Sequence, residues 1–171
     1  MPLIMKGRAM SAVHITYGLL ILLAIALLVA AYTDITRRQI DNWLNLGIAC
    51  AAPLFWWASG MSLHDSIWQL GLALASFAVL AILFALRAMG GGDVKLLTAL
   101  ALWFKPVWFV KLLVVMALLG GALTLIMAVV HMIRKTKERL VIPYGVAIAG
   151  AGLWVLATLY CASFPAILRI G

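Results

Sequence analysis

The sequence predicts an all-α integral membrane protein with about six transmembrane helices, the fourth of them short. Three observations carry this. The 171-residue chain is 67% hydrophobic and only 11% charged, with a mean hydropathy of +1.16. A soluble domain is typically about half apolar and about a quarter charged. The apolar residues fall in runs near the roughly 20 residues a helix needs to cross a bilayer, and short polar segments separate them. The net charge of +8 comes from scattered Lys and Arg, several of them flanking apolar runs, as the positive-inside rule expects. No basic stripe interleaves with aromatics, so nucleic acid is dropped as a partner and the lipid bilayer takes its place.

The first span covers about residues 14–33. It follows Lys6 and Arg8 as a signal peptide would, but it is long for one and further spans follow, so it reads as uncleaved. A polar loop, DITRRQID, occupies 34–41. Span two runs over about 42–60, and the loop MSLHD leads to span three at about 66–86. Arg87 and the glycine run Gly90-Gly91-Gly92 come next. The stretch 94–131 is too long for one crossing, and Lys105-Pro106 interrupts it; proline disfavours helix at the residue before it. A hairpin follows: a short helix over about 94–104, then a long one over about 107–133. At 1.5 Å per residue the short helix reaches only about 16 Å, which leaves two readings open: it crosses fully, or it stops partway, shielded by its neighbours. The basic loop RKTKER covers 134–139, and the last span about 141–164. The whole chain, 1–171, reads as one transmembrane domain with no separate soluble domain.

With the N-terminus outside, loops one, three and five carry eight Lys and Arg residues, against five on the other face. That places Asp34, Asp93 and the 134–139 loop on the cytoplasmic side. Trp103 and Trp108, beside Lys105, then suit an outer interface belt. Trp43, Trp56, Trp57, Trp68 and Trp154 read as belt or packing residues. His14, His64 and His131 sit at span ends and read as interfacial. Cys50 and Cys161 lie inside apolar runs, with no CxxC and no Cys/His cluster, so neither a metal nor a disulfide framework is indicated.

Five acidic residues remain as candidates: Asp34, Asp41, Asp65, Asp93 and Glu138. Ionisable groups at membrane depth are costly and default to function. Asp34 and Asp93 fall at one face of the membrane. Each also has an ordinary reading. Asp34 can pair with Arg37 or Arg38, and Asp93 can cap a helix. Three glycines exceed what a turn needs. Such a run lets the backbone approach another chain closely, or adopt conformations closed to other residues. It also offers the segment carrying Asp93 freedom to move toward Asp34. Two aspartates converging at one level suggest an aspartic protease, in which the pair shares one proton. Helix polarity makes Asp93, at a helix start, the ionised member and Asp34, at a helix end, the protonated one.

Gly90-Gly91-Gly92-Asp93 fits the GxGD motif of intramembrane aspartic proteases, and AMGGGDVK resembles the signature of prepilin peptidases, also called type IV leader peptidases. DITRRQIDN resembles the family segment D…R.IPN, with Asp41 at the proline position. Pro143-Tyr144-Gly145 is similar to the family's P-[YF]-G element. The resemblance implies a membrane aspartic endopeptidase that removes the leader of a prepilin or pseudopilin helix, in the inner membrane with its active site facing the cytoplasm. It implies catalytic Asp34 and Asp93, supported by Gly90, Gly91, Gly92, Lys95, Pro143, Tyr144 and Gly145, and no metal or organic cofactor. Lys95 reads either as a partner of the dyad or of a substrate carboxylate, or as a snorkelling surface residue. By size the chain resembles the short peptidase-only form associated with tight-adherence (Flp-type) pili, lacking the soluble domain of the longer, methylating members. The rival reading is a non-enzymatic polytopic protein, a small transporter or pilus-assembly subunit, using Asp34 and Asp93 for proton or ion binding.

Overall fold

A computed structural model describes residues 2–134 and 143–167, with side chains over 12–133 and 143–159. Among these residues the chain forms six helices: α1 (Pro2–Arg37), α2 (Asn42–Ala58), α3 (Leu63–Ala85), α4 (Gly91–Ala101), α5 (Pro106–Arg134) and α6 (Tyr144–Ile167). Most of the basic loop expected at 134–139 lies outside the described residues, as do the side chains of Lys6, Arg8, Cys161 and Arg169.

Among the described residues, three helices are long and apolar enough to cross a membrane: Ala12–Arg37 of α1, Leu63–Ala85 of α3 and Pro106–Ile133 of α5. Their outer faces carry exposed large apolar residues, among them Leu28, Leu74, Ile82, Leu118 and Leu125. In water such faces invite aggregation; against lipid tails they are the expected surface.

α4 behaves differently. Its 11 residues span only about 16 Å, so it does not cross. It packs instead against α2, α3, α5 and α6, and Leu96, Leu97, Leu100 and Ala101 are fully buried. A helix that ends inside the bundle leaves carbonyls unpaired, and at membrane depth these need protein partners. Here Gln69 Nε2 donates to Ala101 O and Phe104 O at 2.6 Å each. Trp56 Nε1 donates to Leu102 O at 2.8 Å. Trp103 Nε1 donates to Ile48 O at 2.9 Å, while its ring stacks on Phe55 with centroids 5.0 Å apart. Trp103 is therefore a core residue that ties α4 to α2, and not the belt residue the sequence suggested. At Trp108, Lys111 Nζ sits 4.2 Å over the ring.

The junctions follow local chemistry. α1 ends at Arg37; the next residue, Arg38, is left-handed with a φ of 53°, and its N–H returns to Asp34 O. Gly60, at φ +70°, closes α2. Ser62 caps α3 by accepting from Asp65 N at 3.1 Å, so α3 starts three residues earlier than hydropathy alone suggested. Pro106 opens α5, where proline's missing N–H costs nothing. α6 presents Gly145, Ala147, Ala149, Gly150, Ala151 and Gly152, small residues that let it approach its neighbours closely. A Cβ on Gly152 would come within 2.9 Å of Leu27 on α1.

Candidate active site

α4 begins at Gly91, three residues before the start read from the sequence. Gly90 is the N-cap, in extended conformation, and Gly91 and Gly92 form the first helical turn. Neither reading of the run as a positive-φ turn nor as a loose loop describes it: among the described glycines only Gly60 has a positive φ. Close approach accounts for each position. A Cβ on Gly90 would sit 2.9 Å from Asp93 Oδ2. On Gly91 it would meet the Phe84 ring at 3.2 Å, and on Gly92 it would meet Ile40 Cβ at 3.4 Å. The first turn of α4 is thus wedged between α3 and the 38–41 segment.

Asp93 occupies the third position of that turn. Its carboxylate folds back onto the N–H of Gly90, the contact a capping-box acid makes. It lies outside the spanning helices. Burial first and the charge of Asp34 second, opposed by the Gly90 N–H, push its carboxyl up to about 6.

Asp34 is placed by a distant segment. It is only 6% exposed, and its Oδ2 accepts from Val146 N, 112 positions away, at 3.3 Å. The first turn of α6 therefore points its free N–H groups and positive dipole end at Asp34. Gly145 makes room for this. A Cβ there would fall 2.8 Å from Asp34 Cγ and Oδ2, and 2.9 Å from Ile40 Cδ1, closer than real Cβ atoms pack. Pro143 O shares the Val146 N–H at 3.3 Å. Tyr144 turns its ring over Gly120 of α5. The polarity argument that set Asp34 against a negative helix end did not include this second helix, which arrives with its positive end.

The two aspartates line one cavity of about 530 Å³, with Arg38, Gln39, Ile40, Asp41 and Asn42 on one wall, the three glycines on another, and Tyr144 at its side. Pro143 is absent from the lining and acts through the backbone of its turn. Asp41 lies 4.0 Å from Arg37 in a largely exposed pair, a weak contact at best. Lys95 is exposed and donates to Asn42 Oδ1 at 2.8 Å, fastening α4 to the start of α2 and touching neither carboxylate. His64 and Asp65 stay at the start of α3 with Trp68. Among the described residues, no three His, Cys, Asp or Glu side chains gather within reach of one metal ion.

Ile40, Asn42 and Val146 were missed by sequence reasoning. Ile40 carried a signal: it is the one aliphatic residue between Arg37 and Asp41, and it is buried against the glycines of α4 and α6. Val146 carried none, since its contribution is a backbone N–H.

Fold and site together define a polytopic helical membrane protein that gathers two remote carboxylates in one cavity. The chain belongs to the type IV leader peptidase family, whose model matches residues 21–129. That stretch holds Asp34, the glycine run, Asp93 and Lys95, and it ends before Pro143-Tyr144-Gly145. Membership brings a leader peptidase role in general, with a prepilin substrate and a membrane setting. Comparison with curated proteins and with solved structures gave no match.

Proposed function

We propose that the protein is an aspartic endopeptidase that cleaves the short basic leader from prepilin-like substrates at the cytoplasmic face of the inner membrane. The observation that carries this reading is the convergence of Asp34 and Asp93 on one cavity, each held by a backbone N–H. The excess of Lys and Arg on the loops of the same side supports the cytoplasmic assignment.

Two carboxyls in electrostatic contact share a proton, and the proton belongs to the pair. The contacts favour Asp34 as the ionised member, since the first turn of α6 donates to it. Asp93, whose carboxyl is pushed up to about 6, holds the proton. Asp34 then takes a proton from water as its oxygen bonds to the scissile carbonyl carbon, and Asp93 gives its proton to the carbonyl oxygen. Collapse breaks the C–N bond: Asp34 returns its proton to the leaving amine, and Asp93 regains one from the gem-diol.

The test is incubation of the purified protein in detergent with a synthetic prepilin segment, a tight-adherence (Flp-type) prepilin being the first to try. Mass spectrometry reads the new N-terminus. Cleavage at a single leader boundary is expected. Cleavage that persists unchanged in both Asp34→Asn and Asp93→Asn would sink the aspartic assignment.

A further inference from the structure

A second groove, of about 390 Å³, shares Asn42 with the main cavity. It follows α2 and α4 away from the aspartates. Asn42, Asn45 and Lys95 line it in the first turns of these helices, and Leu46, Phe77 and Leu102 line it further along. Its character therefore changes from polar to apolar with distance from the cavity.

Asn45 stands out in this groove. It is 5% exposed, and neither its Nδ2 nor its Oδ1 has a hydrogen-bond partner. Among the described residues the other buried polar side chains are paired: Thr33 donates to Ala30 O, Gln69 to two carbonyls, and Asp34 accepts from Val146. An unpaired buried amide is costly, and an apolar side chain of similar size avoids the cost.

The chemistry of a membrane substrate supplies a partner. A peptide bond in a helix is closed to attack, so the helix must unwind near the scissile bond. Unwinding frees backbone N–H and C=O groups, which at membrane depth need protein partners. A carboxamide offers one donor group and one acceptor, the complement of a single peptide unit. We infer that Asn45 receives an unwound backbone peptide unit of the substrate, on the apolar side of the scissile bond, and that the groove beyond it seats the apolar side chains that follow. This rests on the leader peptidase reading above. The amide is closed to solvent in the free protein, so substrate entry must turn it or part the groove wall.

The inference predicts opposite changes in stability and affinity. In Asn45→Leu, KM for a synthetic prepilin segment should rise about three- to tenfold, with kcat within about twofold. The midpoint of thermal unfolding in detergent should equal or exceed that of the wild type. A fall in that midpoint would show that Asn45 is paired within the protein and would overturn the inference. So would an unchanged KM; if phospholipid co-purifying with the wild type is then lost from the variant, the groove is a lipid seat. A second measurement does not need the variant to fold. Amide-to-ester replacement, scanned through the substrate, should raise KM at one position on the apolar side of the cleavage site; no sensitive position there overturns the inference. A wild-type protein that cleaves no prepilin sinks the peptidase reading itself, whereas cleavage with an insensitive Asn45→Leu sinks only the role of Asn45.

Discussion

The two aspartates line one cavity but are held by different parts of the molecule. Asp93 is positioned locally. Its partner is the N-cap three residues back, and the glycines around it exist to let its turn fit against Phe84 and Ile40. Asp34 is positioned globally. It sits near the end of a long lipid-facing helix and is fixed by the first turn of α6, which arrives from 112 positions away. One carboxylate thus depends on a short motif, and the other on the docking of α6 against α1. Damage to either should be distinguishable, because a local defect leaves the bundle intact while a docking defect moves Asp34 relative to Asp93.

The largest effect tests whether the two are equivalent in necessity. Asp34→Asn and Asp93→Asn should each lower cleavage at least about 10³-fold, with membrane insertion unchanged by fractionation. Appreciable activity in one of them would break the pairing. Next comes the glycine that Asp34 needs. Gly145→Ala places a Cβ 2.8 Å from the Asp34 carboxyl, and a displacement of about 1 Å at a reacting group costs about 10²-fold. Gly92→Ala, with its nearest contact at 3.4 Å, should lose only a few-fold. If the order of the two glycines is reversed in initial rates, Asp34 is not held by α6 as described.

A smaller effect lies in the pH profile. Asp93 is raised toward about 6, so it keeps its proton up to that pH and loses it above. Serving as the acid, it should make kcat/KM fall about tenfold per pH unit above this point. Bound substrate displaces water from the cavity and disfavours the second negative charge, so kcat should hold to higher pH than kcat/KM. An alkaline limb at the same pH in both would remove the desolvation argument. Asp41→Asn should stay within about threefold of the wild type, because its exposed pair with Arg37 is worth little. A loss comparable to that of Asp34→Asn would mean that the first aspartate lies elsewhere in the 34–41 segment.

The same contrast explains what the sequence could reveal. The six helices were legible because hydropathy and Lys105-Pro106 mark them, and the short fourth helix followed from its length. The site around Asp93 was legible because its parts are adjacent in the chain. Its boundary was not, because glycine's usual place in a loop hid two helical residues. The surroundings of Asp34 were half legible. Pro143-Tyr144-Gly145 could be seen as an element, but not that Gly145 clears space for Asp34 or that the Val146 N–H meets it. Trp103 was misplaced for a related reason. Its indole N–H has a buried partner, Ile48 O, which no window of hydropathy detects.

The smallest predicted effect concerns Lys95, and it sharpens the comparison most. A positive charge near Asp93 favours its carboxylate, so removing the charge must raise the pH at which Asp93 loses its proton. Lys95 is exposed and engaged with Asn42 at 2.8 Å, so solvent screens its effect on the dyad. Lys95→Met should therefore move the profile upward by only about 0.3 pH units. Which limb moves matters more than how far. If Asp93 is the acid, the alkaline limb of kcat/KM moves up and activity persists to higher pH. If the acidic limb moves up instead, Asp93 is the base, as its own helix polarity alone predicts, and the contribution of α6 to Asp34 has been overweighted. A displacement above about one pH unit, worth about 1.4 kcal/mol, is too large for a screened charge. It would place the ammonium against Asp93 in the free protein, with the Lys95–Asn42 bond released.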